Sequence, residues 1–326
     1  MMRNADLLAA FHDLSPEPED FLSSLVEGLS APRKSLPCKF FYDKRGSALF
    51  DQICELPEYY VTRTENALLR DVSAEIAELA GPGVHLIEFG SGSSRKIRTL
   101  LDSLARPAAY TAIDISRQHL LESTQAVAAD YPSVAVSAVC ADYTRPLGLP
   151  GLEAALENRP LVFFPGSSIG NFSRPDARDF LANIATMLRL TGGDLLIGID
   201  LKKDVAILEA AYNDAAGVTA AFNLNLLARA NSELGADFEL AAFRHQAIYN
   251  TEEGRIEMYL FSTRAQQVTV GEHVFQFADG EAIHTENSYK YTVEEVRALA
   301  ISAGFQRSAS WVDPDRLFGI HYLRLE

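Results

Sequence analysis

The chain has 326 residues, 48% of them hydrophobic, and a formal net charge of −15 at pH 7. This length and apolar content suffice for one large domain or two smaller ones with a substantial core. The acidic balance argues against nucleic acid as a partner, because nucleic-acid binders usually present an extended basic face. No apolar run reaches the length of a membrane span, so a membrane is not expected as a partner either.

The cysteines and histidines suggest neither a disulfide framework nor a metal site. Cys38, Cys54 and Cys140 are scattered and odd in number, which is typical of core thiols in a reducing compartment. The seven histidines show no ligand spacing, so we predict no metal. The first residues lack a basic region followed by an apolar core. We therefore expect a cytoplasmic protein, and we expect it to be a monomer.

The N-terminal part of the chain is predicted to be helical in pieces. Residues 1–18 are largely polar with two prolines, which indicates a loose arm or a short helix. Apolar residues from Phe21 to Leu29 recur at helical spacing, and a second short helix is predicted at 47–56, ending at Pro57. Thr62 and Glu65 stand three residues apart before a longer helical pattern, which predicts a capping box.

The most informative stretch is Glu88-Phe89-Gly90-Ser91-Gly92. It follows an apolar run at 84–89 and precedes a helical pattern, so it predicts a strand, a glycine turn and a helix. Glycines allow a ligand to approach the backbone, and the helix start offers unpaired N–H groups. On this motif alone a methyl donor, a dinucleotide and a turn without a ligand remain equal alternatives.

Two residues near the glycine turn distinguish between these ligands. Glu88 suits a cationic ligand better than a pyrophosphate, which favours S-adenosylmethionine with its sulfonium and amino charges. Arg95 occupies the position of the third glycine in the dinucleotide pattern, which weakens that alternative.

From residue 84 strands and helices alternate, as a Rossmann-like parallel sheet requires. The predicted strands are 84–89, 109–113, 134–140, 161–164 and 194–199. Asp114 follows the second strand, where it can accept hydrogen bonds from both ribose hydroxyls of a nucleoside. Asp142 and Tyr143 follow the third strand, where they can bind the adenine amino group and cover the base. These residues share the carboxyl edge of the sheet, where open parallel sheets bind ligands.

Beyond Asp200 the alternation stops. Residues 203–233 are predicted to be helical, 238–291 to form antiparallel strands, 292–303 to form a helix and 305–325 to form a terminal hairpin. The fold class is therefore α/β, with two domains. A nucleotide-binding domain comprises 64–202 plus 291–326, and a second α+β domain for the substrate comprises 13–63 plus 203–290.

Many short stretches resemble the bacterial L-histidine Nα-methyltransferases of ergothioneine biosynthesis. They extend from near the N-terminus to residue 290 and are far more specific together than the glycine turn alone. The stretches are 34–37, 41–43, 49–53, 56–60, 62–65, 88–92, 166–171, 214–223, 255–258 and 285–288. One departure is Val61, where the family usually has proline after the paired tyrosines, and this affects the rigidity of the backbone.

The resemblance implies a Rossmann-like class I sheet and transfer of three methyl groups from S-adenosylmethionine to the α-amine of histidine, giving hercynine. The residues implied for binding the methyl donor are Gly90, Gly92, Lys96, Asp114, Asp142, Tyr143 and Gly166. Those implied for the imidazole are Tyr59, Glu286 and Ser288, and those implied for the substrate carboxylate are Asn171 and Tyr212. Tyr42, Phe222 and Met258 are implied as the walls around the amine.

The chemistry of histidine agrees with these residue types. A neutral imidazole has one N–H donor and one acceptor nitrogen. Glu286 can accept from the first while a hydroxyl of Ser288 or Tyr59 donates to the second. The amine must lose protons before it attacks, and the residues offer no dedicated base; Tyr42 or a water beside it is one alternative and bulk solvent is the other.

Three other functions remain open at this level. The acceptor could be another amino acid or small amine, or the fold could serve as a sensor of an adenosyl ligand without catalysis. A dinucleotide oxidoreductase is the third, and Glu88 disfavours it.

Overall fold

The computed structural model describes residues 7–14, 19–91, 94–144 and 158–325. Its strands are β1 (Ala10–Leu14), β2 (His85–Phe89), β3 (Ala109–Asp114), β4 (Ala135–Ala141), β5 (Pro160–Phe164), β6 (Asp194–Asp200), β7 (Phe243–Asn250), β8 (Arg255–Ser262), β9 (Gln266–Val270), β10 (His273–Phe277), β11 (Ala282–Tyr289), β12 (Arg307–Val312) and β13 (Phe318–Arg324). Its α-helices are α1 (Glu19–Ser30), α2 (Lys44–Cys54), α3 (Tyr60–Ala80), α4 (Arg95–Ser103), α5 (Arg117–Asp130), α6 (Arg174–Thr191), α7 (Val205–Tyr212), α8 (Val218–Leu234) and α9 (Val293–Ser302).

These residues form two compact units. The first contains the described residues of Met1–Ser15, Val61–Lys202 and Lys290–Glu326, and the second those of Pro16–Tyr60 and Lys203–Tyr289. None of the helices in the described ranges combines the length and the apolar character that a membrane crossing demands.

The first unit is built on an eight-stranded sheet. Its strand order is β1-β4-β3-β2-β5-β6-β13-β12, with parallel pairing from β1 to β6 and antiparallel pairing of β13 with both of its neighbours. Every residue of β2, β5 and β6 is buried, as expected for central parallel strands that are covered on both faces. The structure thus confirms the α/β fold class with a Rossmann-like sheet, as well as the antiparallel ending.

The N-terminal arm differs from its prediction. Residues 10–14 form β1, which pairs in parallel with β4 from Ala10 opposite Ser137 to Leu14 opposite Ala141. The expectation of a loose arm or short helix is therefore wrong for this segment. Its pairing partner lies more than a hundred residues away, and local polarity carries no trace of such a contact.

The predicted capping box at Thr62 and Glu65 is also wrong. Helix α3 begins at Tyr60, so Thr62 already lies within its first turn, and the Glu65 side chain binds elsewhere in the first unit. A capping box does exist at the start of α9, where Thr292 and Glu295 bind each other's backbone N–H groups.

The second unit packs helices against antiparallel strands. Its three-stranded sheet has the order β11-β8-β7, and β9 and β10 form a separate hairpin. Helix α8 contacts α2, β7 and β8. The Asp214 carboxylate accepts the N–H groups of Val218 and Thr219, both at 2.8 Å, and so satisfies the otherwise unpaired donors at the start of α8.

Candidate active site

The glycine turn lies at the carboxyl edge of the sheet in the first unit. Gly90 follows β2 with φ of +77°, a conformation that side chains with a Cβ rarely adopt. Its N–H donates to the carbonyl of Ile113 at 2.8 Å. A Cβ placed on Gly90 would come to 3.5 Å from the Tyr143 hydroxyl. The turn therefore leaves open backbone beside Tyr143. Gly92 lies outside the described residues.

Two carboxylates stand at the ends of the next two strands. Asp114 ends β3 and its Oδ1 accepts the N–H of Ser116 at 2.8 Å; burial raises its pKa. Asp142 follows β4 and its Oδ1 accepts the N–H of Thr144 at 3.0 Å. Each carboxylate is fixed by its own turn, and a carboxylate has room for further donors such as hydroxyl or amino groups.

Tyr143 belongs to an aromatic cluster beside these carboxylates. Its ring centroid lies 5.8 Å from those of Phe89 and Phe164 and 6.2 Å from that of Phe180. Such packing holds the ring in place and provides an apolar wall that suits a planar base.

Glu88 is buried in β2, with 1% of its surface exposed. Its Oε2 accepts the hydroxyl of Tyr110 at 2.6 Å. Burial raises the pKa of Glu88 to about 8, while Tyr110 and the nearby Lys96 ammonium oppose the rise. A cation close to Glu88 would favour the ionised carboxylate and lower its pKa, and the carboxylate would then attract the cation.

Lys96 and Gly166 both bind Glu65, a residue that the sequence did not single out for ligand binding. Lys96, in the first turn of α4, forms an ion pair with Glu65 of α3. The N–H of Gly166, just after β5, lies 3.0 Å from both carboxylate oxygens of Glu65. Gly166 has φ of +75°. Glu65 thus connects two of the residues that the resemblance implies for the methyl donor.

Asn171 closes a short 3-10 turn, Ser168–Asn171, just before α6. The Ser173 side chain accepts the N–H of Asp176 at 3.3 Å and so caps the start of α6. Asn171 is half-buried in the first unit, in a position where amide and backbone N–H groups could contact an anion.

The remaining predicted residues come together in the second unit. Ring centroids lie 5.8 Å apart for Tyr42 and Phe222 and 6.2 Å apart for Tyr59 and Tyr212. Phe50 of α2 lies within 5.8 to 6.3 Å of Tyr42, Tyr59 and Phe222. Phe50 therefore lies among three of the predicted side chains, a position that its place in a helical pattern does not reveal.

A β-bulge orients Glu286. His284 of β11 pairs with Tyr259 of β8, but Glu286, two residues later, pairs with Met258, the very next residue. Paired residues share a face of the sheet and neighbours along a strand face opposite sides. The extra residue, Thr285, donates its hydroxyl to the Met258 carbonyl at 3.1 Å. The bulge therefore turns Glu286 to the face of Met258, away from that of His284.

The polar groups on this face suit a ring with one donor and one acceptor. The hydroxyls of Tyr212 and Ser288 lie 2.9 Å apart, and Glu286 is 9% exposed. Burial raises the pKa of Tyr59, and the adjacent Tyr212 and Glu286 add to this effect. Tyr59 therefore remains a neutral phenol that can donate, beside a carboxylate that can accept.

The backbone of Tyr212 is hydrogen-bonded to His245. The Nε2 of His245 lies 2.8 Å from the Tyr212 carbonyl, and its Nδ1 lies 2.8 Å from the Asn223 amide nitrogen. An amide nitrogen can only donate and a carbonyl can only accept, so His245 is neutral with its proton on Nε2. Burial lowers the pKa of His245.

The opposite face of the same sheet carries a separate polar cavity of about 690 Å³, near Arg255, Glu257 and His284. Its charges pair with one another, as in the 2.6 Å contact between Arg255 and Glu257. None of the predicted site residues lines it. Among the residues that the structure describes, no group of His, Cys, Asp and Glu side chains could hold a metal ion.

The mostly parallel sheet carries Gly90, Asp114 and Asp142 at its carboxyl edge, which is the edge where open α/β sheets bind nucleotide ligands. Residues 21–325 match the family model described as "Histidine-specific methyltransferase, SAM-dependent". The chain belongs to this family of enzymes, and its methyl donor is S-adenosylmethionine.

The names of similar proteins agree with this assignment. The chain is 46% identical over 299 residues to the histidine N-alpha-methyltransferase of Mycolicibacterium smegmatis, covering 90% of this chain and 91% of that protein. It is 42% identical over 301 residues to the histidine N-alpha-methyltransferase of Mycobacterium tuberculosis, with 91% and 92% covered. It is 33% identical over 313 residues to ergothioneine biosynthesis protein 1 of Neurospora crassa, covering 93% of this chain and 34% of that protein.

Proposed function

We propose that this enzyme transfers three methyl groups from S-adenosylmethionine to the α-amine of L-histidine and so forms hercynine for ergothioneine biosynthesis. The observation that carries the proposal is the grouping of Glu286, Ser288, Tyr59 and Tyr212 in the second unit. The names of the relatives from Mycolicibacterium smegmatis and Mycobacterium tuberculosis support the same substrate.

The first unit is proposed to bind the donor. Asp114 accepts the ribose hydroxyls, Asp142 accepts the adenine amino group and Tyr143 covers the base. Gly90, Gly92, Lys96 and Gly166 receive the methionine part. The observed turns support this assignment, because both carboxylates are fixed at neighbouring strand ends and Gly90 leaves its backbone open. When bound, S-adenosylmethionine supplies a methyl group on a positively charged sulfur.

The second unit is proposed to select the imidazole. Glu286 accepts the ring N–H, while Ser288 or Tyr59 donates to the other ring nitrogen. The hydrogen bond between Tyr212 and Ser288 orders these donors. When Tyr212 donates to Ser288, the serine hydroxyl is available to donate to the ring. When Ser288 donates instead, the phenol proton is available for the substrate carboxylate, which is the role proposed for Tyr212 and for Asn171.

The amine is proposed to react because the amino acid is held at its ring and its carboxylate while the nitrogen is left to turn. Positioning of this kind contributes about 7 to 11 kcal/mol in the best cases. Tyr42, Phe222 and Met258 form the apolar surroundings of the amine. Each transfer requires a free lone pair, so the amine first loses a proton to Tyr42, to a water beside it or to bulk solvent.

The test is incubation with L-histidine and S-adenosylmethionine followed by mass spectrometry. We expect products with one, two and three added methyl groups, and S-adenosylhomocysteine in matching amounts. A panel of other amino acids and small amines should give no comparable turnover. Donor binding without turnover of any amine would instead indicate an adenosyl-ligand sensor.

We also propose that the enzyme is a cytoplasmic monomer that acts without nucleic acid or membrane. The support is its net charge of −15 and the thiol state of Cys38, Cys54 and Cys140. Light scattering coupled to gel filtration tests the monomer, and a dimer mass would contradict it.

A further inference from the structure

We propose that Glu65 is a positioning residue of the donor site: it fixes the Lys96 ammonium and the Gly166 backbone so that both can receive the amino-acid part of the methyl donor. The inference rests on the proposed function, because it takes Lys96 and Gly166 as donor ligands. Glu65 itself is not proposed to touch the donor or the reacting atoms.

The Glu65 carboxylate has no exposed surface. It accepts the Gly166 N–H on both oxygens and pairs with Lys96. A buried carboxylate is costly unless it is paired and hydrogen-bonded. Glu65 meets that cost only while Lys96 and the turn after β5 stay in place, so the carboxylate couples their positions.

The backbone of β6 leaves room for this carboxylate. A Cβ placed on Gly198 would come within 2.1 Å of Glu65 Oε1, so any larger residue would displace the Glu65 side chain. Glycine weakens the interior of a strand, and its presence there often marks a place where another group approaches the backbone closely. Gly198 therefore provides the space for Glu65, and this is independent of the ion pair.

Lys96 keeps the capacity to bind a ligand while it is held. Its side chain is 13% exposed, and an ammonium carries three N–H groups. One is directed at Glu65, which leaves others for a carboxylate. Its Nζ lies 3.7 Å from the Cβ position of Gly166, so the ammonium and the open backbone of Gly166 share one location. Loss of the Glu65 charge would free the ammonium to turn toward solvent.

The test compares two ligands by calorimetry: S-adenosylhomocysteine, which carries the amino-acid part, and adenosine, which lacks it. For Glu65→Gln we expect S-adenosylhomocysteine affinity to fall about 10-fold to 100-fold, the range for a hydrogen bond to a charged group. Adenosine affinity should stay within about twofold. Glu65→Asp keeps the charge but shortens the reach, and it should show the same selective loss to a smaller extent.

Asp194 provides a matched control in the same strand as Gly198. It is a buried carboxylate at the other end of β6, paired with Arg159 at 2.7 Å. Asp194→Asn should lower the melting temperature but leave the ratio of the two affinities within about twofold of that of the unmodified enzyme. If Glu65→Gln does not fold, the selective loss must appear in Glu65→Asp.

Two outcomes overturn the inference: unchanged S-adenosylhomocysteine affinity in the folded Glu65 variant, or equal losses for both ligands. Lys96→Met distinguishes this from failure of the proposed site. If Lys96→Met weakens S-adenosylhomocysteine binding and the Glu65 variant does not, only the positioning role fails. If Lys96→Met has no effect, the assignment of Lys96 itself fails.

Discussion

Glu286 lies directly opposite Met258 in the sheet of the second unit, although His284, two residues earlier, lies opposite Tyr259. In a regular strand the side chains of His284 and Glu286 would share one face. The bulge at Thr285 separates them, and it places the carboxylate on the side that carries Met258.

Glu286→Ala should weaken histidine binding by about 1.5 to 3 kcal/mol, because it removes a hydrogen bond to a charged group. Calorimetry with enzyme saturated by S-adenosylhomocysteine measures this loss. His284→Ala is the matched control on the opposite face and should leave histidine affinity within about twofold. Unchanged binding in Glu286→Ala would remove Glu286 from the substrate site.

Thr285→Val should disturb the bulge, although the new side chain has nearly the same size as the old one. The variant loses the hydrogen bond to the Met258 carbonyl, which should reduce the free energy of unfolding by about 0.5 to 1.5 kcal/mol. Because Glu286 follows directly, KM for histidine should rise while KM for the donor is unchanged. Urea unfolding and initial-rate kinetics measure the two effects, and equal changes in both KM values would contradict the role of the bulge.

His245→Ala should act on the substrate through Tyr212. The change removes the contact to the Tyr212 carbonyl, so KM for histidine should rise and KM for the donor should stay constant. His273 is exposed in the same unit, and His273→Ala serves as the control with unchanged kinetics. A donor KM that rises in parallel would show a general loss of structure instead.

Glu88 should make the stability of the ligand-free enzyme fall as the pH rises. The pKa of Glu88 is about 8 in the folded chain and 4.5 as the ordinary value. Between these values the folded state binds one more proton than the unfolded state, so the free energy of unfolding decreases with increasing pH. The stability is fully retained below pH 4.5 and is lost progressively up to about pH 8.

Glu88→Gln isolates this effect, since all other titrating groups are shared. Between pH 6 and pH 8 the melting temperature should fall less in the variant than in the unmodified enzyme. Identical pH dependence in the two proteins would show that the pKa of Glu88 is not raised in the folded chain.

Much of the first unit could be predicted from the sequence, because its strands are short apolar runs that end at polar residues. Asp114 and Asp142 were found in this way, since parallel strands bring their carboxyl ends to one edge. Strand β1 could not be found, because its pairing with β4 depends on residues far away in the chain.

The sequence-based interpretation of Glu65 was wrong because the contacts of this side chain are tertiary. Glu65 matched a capping box at the level of spacing, but in the fold it binds Lys96 and Gly166. The contacts of Phe50 with three aromatic rings are likewise tertiary, and the helical pattern of 47–56 does not predict them. A bulge such as that at Thr285 also leaves no local signal, because it is defined by the register of two strands.

The most direct measurement of the proposed reaction uses a donor with a deuterated methyl group and nuclear magnetic resonance of the product formed from L-histidine. Three labelled methyl groups should appear on the α-nitrogen, with none on the imidazole. Label on a ring nitrogen, or no transfer to histidine while another amine is methylated, would contradict the proposed function.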